Sequence, residues 1–384
     1  MKRSEVTLVA AIAAALLLTG CGGAPTPTPT PTASSTPSAA PTSSPTPTPT
    51  PVDEQEEDAE PALIAARISA RCGDLANTAL REELTGIDDE DLERVSYPLA
   101  NGSAAELQAG VVNCQWFGPP ILEESSAAIE IKVLPDAAAE FAAFSAPLSG
   151  GEVLGTLGAG SFINCFEDAA VRSCYLHYLA GSHWVDASFT GVTPTPATDA
   201  VAAATEFAHA IADGLIAAGP LGAAYVPPAG SRPVWSSCSV LDAAGAFRTA
   251  LSSPSLTSPE AEFTGAGTLF SEAWQRVNFK SCAWRHADLY ASPAGQIRMA
   301  SVMMLPGAEW AWPSLREAYL SQGATAIVVA GADDATITCY NGDDCTINAL
   351  VDGSYVSVYV SVDQYRGGAA AIAVTAAEFV IARL

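Results

Sequence analysis

Near the C-terminus, Tyr355-Val356-Ser357-Val358-Tyr359-Val360-Ser361-Val362 sets valine at every second position against tyrosine or serine. A period of two puts the valines on one face and predicts a half-buried strand. A looser alternation runs through 127–134 and 296–305. Helical spacing predicts a helix after Cys72 and after Cys238, one over 136–144 and 313–321, and closing helices over 198–217 and 370–384. Three short strands are expected to carry Cys165 and Cys174 in one stretch, Cys339 and Cys345 in the other. Helices set apart from a run of antiparallel strands predict an α+β layer instead of a wound parallel sheet.

The pattern occurs twice. Asn113-Cys114-Gln115-Trp116 answers Ser281-Cys282-Ala283-Trp284, and Ile163-Asn164-Cys165-Phe166 answers Ile337-Thr338-Cys339-Tyr340. Gly181-Ser182 before Trp184 answers Gly353-Ser354 before Tyr355, and Glu206-Phe207 answers Glu378-Phe379. A shared order of landmarks at a near-constant offset identifies tandem repeats. The expected modules are 61–220 and 233–384, each an antiparallel sheet of about five strands packed by about three helices. Val226-Pro227-Pro228-Ala229-Gly230 reads as the linker between them.

Ahead of residue 61 the periodicity disappears. Residues 1–20 combine Lys2 and Arg3 with an apolar run from Val6 to Leu18, too short to span a bilayer core and typical of a signal peptide. Leu18-Thr19-Gly20-Cys21 follows. Residues 21–60 are a Thr/Pro/Ser/Ala tract and then an acidic run, a composition that buries no core and reads as a solvated spacer.

Charge narrows the partners. Of 17 basic and 42 acidic residues, the part beyond the signal and the acidic run keeps a net charge of about −20. That field repels phosphate backbones, so no nucleic acid is expected, and it offers anionic lipids no basic patch.

Setting Cys21 aside, eight of the nine cysteines fall into two sets of four: Cys72, Cys114, Cys165, Cys174 and Cys238, Cys282, Cys339, Cys345. In an exported chain they read as a disulfide framework, paired first to second and third to fourth within each set. A zinc site is disfavoured, because no Cys-x-x-Cys occurs and the close spacings differ between copies. Trp116 and Trp284, two residues after a cysteine, are expected to pack against those bridges.

Candidate chemistry is sparse. His177, His183, His209 and His286 have no histidine counterpart in the other repeat. A hairpin pairing 178 with 183 would set His177 and His183 on opposite sides, and His209 is expected as a half-buried helix residue. The Gly-rich stretch 150–161 lacks the Gly-Lys-Ser/Thr ending of a phosphate loop. Asp88-Asp89-Glu90-Asp91 reads as a solvated helix start, and Asn341-Gly342-Asp343-Asp344 as a hairpin turn without the glutamate of a full Ca²⁺ loop. Trp310 and Trp312 lie where the first copy has only alanines, and they are the candidate ligand-contact residues, with core packing as the alternative. No metal and no cofactor is called for.

The segment ending at Cys21 resembles the lipobox of bacterial lipoproteins. That resemblance implies cleavage before Cys21, a diacylglyceryl group with palmitate-type chains on its thiol, and attachment to the extracytoplasmic face of the cell membrane. With the Pro/Thr spacer, the Cys-x-Trp strand and the paired cysteines, the chain is similar to disulfide-bonded α+β lipoproteins of actinobacteria. More distantly it is similar to the extracellular sensor domain of a mycobacterial serine/threonine kinase. The resemblance implies a non-catalytic envelope lipoprotein that binds a ligand or partner. An enzyme acting on cell-wall polymers, or a structural or chaperone-like factor in wall assembly, is the alternative.

Overall fold

The computed structural model describes residues 64–95, 101–122, 125–144, 152–153, 157–168, 170–194, 199–261, 268–286, 296–363 and 368–384. The expected signal peptide and spacer, with Cys21, and part of the Gly-rich stretch lie outside the described residues. The first half comprises α1 (Cys72–Leu75), α2 (Thr78–Thr85), β1 (Glu93–Arg94), α3 (Asn101–Ala109), β2 (Val112–Leu122), β3 (Ser125–Leu134), α4 (Ala138–Phe144), β4 (Glu152–Val153), β5 (Phe162–Glu167), β6 (Val171–Ala180), β7 (His183–Val192) and α5 (Ala200–Ala217). The second comprises α6 (Cys238–Leu241), α7 (Ala246–Ala250), β8 (Glu260–Ala261), α8 (Leu269–Arg276), β9 (Lys280–Arg285), β10 (Ile297–Leu305), α9 (Trp312–Ser321), β11 (Thr325–Ile327), β12 (Asp334–Tyr340), β13 (Asp344–Val351), β14 (Ser354–Val362) and α10 (Ala369–Ile381).

The protein is α+β, with two antiparallel seven-stranded sheets of identical strand order, β1-β2-β3-β7-β6-β5-β4 and β8-β9-β10-β14-β13-β12-β11. Each sheet exceeds the expected five strands by two edge strands of two or three residues. The helix expected after the first cysteine is broken in both copies. Asn77 caps a fresh start, its Oδ1 accepting from the Leu80 amide at 3.0 Å, and buried Asp242 accepts from the Phe247 amide at 2.8 Å.

One face of each sheet carries the main core. In the first, Cys114, Trp116, Ile129, Ile131, Cys174, Tyr178 and Phe189 meet Phe207 and Ile211 of α5. In the second, Cys282, Trp284, Val302, Ile347, Val358 and Val360 meet Ala373, Ala377 and Val380 of α10. These contacts explain why the valines of β14 alternate. Among the described residues α5 alone is long and apolar enough to cross a membrane, and its apolar stripe lies in this core. Gly214 and Gly191 permit the closest crossings, since a Cβ at either would strike backbone, of Asp74 and of Leu84–Thr85 respectively.

The opposite faces hold two helices that the periodicity did not reveal, α3 and α8, and these are exchanged. From the second half, Leu269 and Ala273 of α8 pack with Leu134, Phe141 and Trp184 of the first half. From the first half, Ala104 and Ala105 of α3 pack with Leu305, Trp312, Leu315 and Tyr355 of the second. Polar contacts repeat the exchange. Gln108 Nε2 donates to the Pro306 carbonyl at 2.9 Å, and Arg276 donates to the Pro135 carbonyl and, at 2.7 Å, to Glu140. Strand register makes Pro135 and Pro306 equivalent, because each follows the leucine that pairs with Trp184 or Tyr355. The exchange ties both halves into one compact unit, Ala59–Leu384.

Candidate ligand groove

Four bridges join Cys72–Cys114, Cys165–Cys174, Cys238–Cys282 and Cys339–Cys345, first to second and third to fourth in each copy. Trp116 and Trp284 are buried beside the wide bridges, and the Trp284 indole donates to Asp242 at 3.2 Å. Asn341 and Gly342 form the expected hairpin turn, both at positive φ, between the paired Cys339 and Cys345. Asp344 there accepts from Arg298 and Tyr359. Asp88–Asp91 lead into a short 3₁₀ turn, in which Asp89 is fixed by Arg81 at 2.6 Å.

Trp312 does not break the repeat. It occupies the place of Phe141, and the two rings lie 6.3 Å from Tyr355 and 5.6 Å from Trp184. Trp312 is buried, and its indole donates to Asp334, which also takes Arg316 beside an open surface hollow. Trp310 has no aromatic counterpart. It donates to Gln108 of α3 at 3.3 Å and meets the Tyr225 ring, so it serves the contact between the halves.

The histidines divide differently from expectation. His209 is exposed, because the buried stripe of α5 passes through Phe207, Ala208 and Ile211 and leaves position 209 on the outer side. His286 meets Gln296 at 3.0 Å. In the β6–β7 hairpin Ala180 pairs with His183 and Tyr178 with Val185, two residues away from the expected register. His177 and His183 still face opposite sides. Burial lowers the pKa of His183, with Asp136 opposing and Arg67 reinforcing the shift.

His177 pairs across the strands with Asp186, and its Nδ1 lies 2.6 Å from Asp186 Oδ1. The Trp184 indole donates to the same oxygen at 2.9 Å. The imidazole lies between the rings of Phe141 and Phe162, with centroids at 5.0 and 5.1 Å, while Phe144 and Trp184 meet it edge-on. Beside it a groove of about 460 Å³ opens along the sheet. Glu130 and Lys132 of β3 and Asp186 and Ser188 of β7 contribute its polar floor. Phe144, Phe162 and Tyr175 line it from the first half, and Thr268 with Phe270 from the second. The exchanged segment therefore completes the groove.

At the matching positions of the second sheet stand Asn348, Ser357 and Tyr355, an uncharged trio in which Asn348 Oδ1 accepts from Tyr355 at 2.5 Å and Ser357 at 3.0 Å. Ser301 and Met303 replace Glu130 and Lys132. The same scaffold thus carries ionisable side chains at these positions in the first sheet and uncharged, largely buried ones in the second. Among the described residues no three His, Cys, Asp or Glu side chains are grouped to hold a metal ion.

Glu106 of α3 is 8% exposed and lies in the field of Lys132 and Glu130. Burial raises its pKa, Lys132 opposing and Glu130 adding. The folded state therefore keeps this proton to higher pH than the unfolded chain does. Stability is lost as pH rises from the ordinary glutamate value through the raised one. Glu106→Gln is expected to remove that loss, read from urea melts between pH 4 and 8.

No family model, curated protein or solved structure matches the chain.

Proposed function

We propose that the protein is a lipid-anchored lipoprotein of the extracytoplasmic membrane face, and that it binds a ligand non-catalytically in the groove of the first sheet. The lipobox-like run at Cys21 and the spacer to residue 60 support the anchor and its reach. Four disulfides are consistent with an oxidising compartment. The groove itself carries the binding reading: aromatic walls around a few fixed polar groups are the usual makeup of a small-ligand site.

A second reading, a hydrolase of cell-wall polymers, draws on Glu130 and Asp186. They are diagonal neighbours on β3 and β7, a relation that sets Cα atoms roughly 7–8 Å apart. That range includes the spacings of glycosidase carboxylate pairs.

Thermal melts of the Ala59–Leu384 unit against wall glycans, lipids and small organic ions test both. A ligand at a hundred times its Kd contributes about 2.7 kcal/mol, a shift of roughly 4 °C for a unit of this size. A shift abolished by Phe162→Ala supports the groove, and release of soluble fragments from a glycan supports the hydrolase. If no compound moves the melt, the binding reading fails.

A further inference from the structure

Each groove carboxylate uses only one oxygen internally. Glu130 Oε1 takes both Gln115 Nε2 at 2.7 Å and Lys132 Nζ at 3.2 Å. Asp186 Oδ1 takes both His177 and Trp184. Neither second oxygen has a partner among the described residues, and the side chains remain 39% and 33% exposed. His177 lines the same groove with its side chain only 8% exposed, and its Nε2 is buried without a hydrogen-bond partner among the described residues.

The unused carboxylate oxygens of Glu130 and Asp186 are acceptors. The one ammonium in the groove, on Lys132, is already held by Glu130. Phe144, Phe162 and Phe270 add aromatic carbon that takes up an apolar stem. The net charge of about −20 acts in the same direction over longer range. An anion would meet two carboxylates, and a neutral ligand would leave them without purpose.

We propose that the groove binds an organic cation, an ammonium or guanidinium group on an apolar stem, with Asp186 and Glu130 as its charge partners. This rests on the groove being the binding site. One cation binds per chain, because the second sheet has Ser301 and Ser357 where the first has Glu130 and Asp186.

The probes are phenethylammonium, 2-phenylethanol and phenylacetate, which share a body and differ in charge, titrated into the Ala59–Leu384 unit by calorimetry. The ammonium is expected to bind with a stoichiometry of one and to weaken as salt is raised. The alcohol should bind at least tenfold more weakly and the acetate not measurably. Glu130→Gln, at an exposed carboxylate, is expected to weaken the ammonium about tenfold while leaving the melt in place, as is Asp186→Asn if it folds. Ser357→Ala should leave binding unchanged. Equal binding of ammonium and alcohol, or full ammonium binding in Glu130→Gln, overturns the cation assignment. If a neutral or anionic compound binds instead and Phe162→Ala abolishes it, the groove survives and only the cation is wrong. If none of these probes and no other compound binds, both fail.

Discussion

Residues 61–220 expressed alone are not expected to fold as a monomer. In the whole chain α8 covers the end of the first sheet, where Leu134, Phe141 and Trp184 lie. Uncovering such side chains costs about 1.5–3 kcal/mol each, so the three approach the 5–15 kcal/mol of an entire domain. The isolated half also keeps α3, whose Ala104, Ala105 and Gln108 are shaped for the other half. Two copies can therefore satisfy each other by trading α3 as the intact chain trades α3 for α8. The expected products are a symmetric dimer or a loosely packed chain that binds a hydrophobic dye. Size exclusion and near-UV circular dichroism separate these from a monomer with a sharp melt, which would contradict the exchange. Co-expression with 233–384 should restore only part of the fold, since α3 and α8 then have to find their sites between chains.

The main sheets and closing helices were legible because their residues obey a single period. The valines of β14 face one core, and the stripe of α5 faces another. The exchange was not legible, because α3 and α8 are short and split their contacts between two sheets. In Asn101–Ala109 no apolar side chain is larger than leucine, and Trp274 in α8 reaches across to donate to Gly102 of α3 at 3.3 Å. Of the groove, the sequence offered His177 only as one of four scattered histidines, and named neither a role nor a partner for it. A slip of two in the hairpin register keeps every side chain on its face. It changes who sits opposite: the expected register sets Trp184 against His177, and the turn at Gly181–Ser182 brings Asp186 there instead. Trp312 misled for a related reason, since comparison with the alanines after Asp136 hid its equivalence to Phe141. Shared contacts with Trp184 and Tyr355 reveal it.

Removing the disulfides should separate them by loop length. Cys72–Cys114 and Cys238–Cys282 close loops spanning 42 and 44 residues and tie α1 and α6 to β2 and β9. Chain entropy assigns each about 4 kcal/mol, against about 2–3 kcal/mol for Cys165–Cys174 and Cys339–Cys345, which span 9 and 6. The narrow bridges also join residues directly opposed on paired strands, so the hydrogen-bonded hairpin persists without them. The wide ones bind α1 and α6 to the sheet, helices of four residues each and too short to persist unaided. Double serine variants of a narrow pair are thus expected to melt roughly 4 °C lower, and of a wide pair roughly 6 °C lower. Loss of both wide bridges, about 8 kcal/mol, should leave no cooperative transition at 37 °C. If the narrow variants were the more damaging, hairpin geometry rather than loop closure would govern the framework. The core around Trp116 and Trp284 would then be holding α1 and α6 without covalent help.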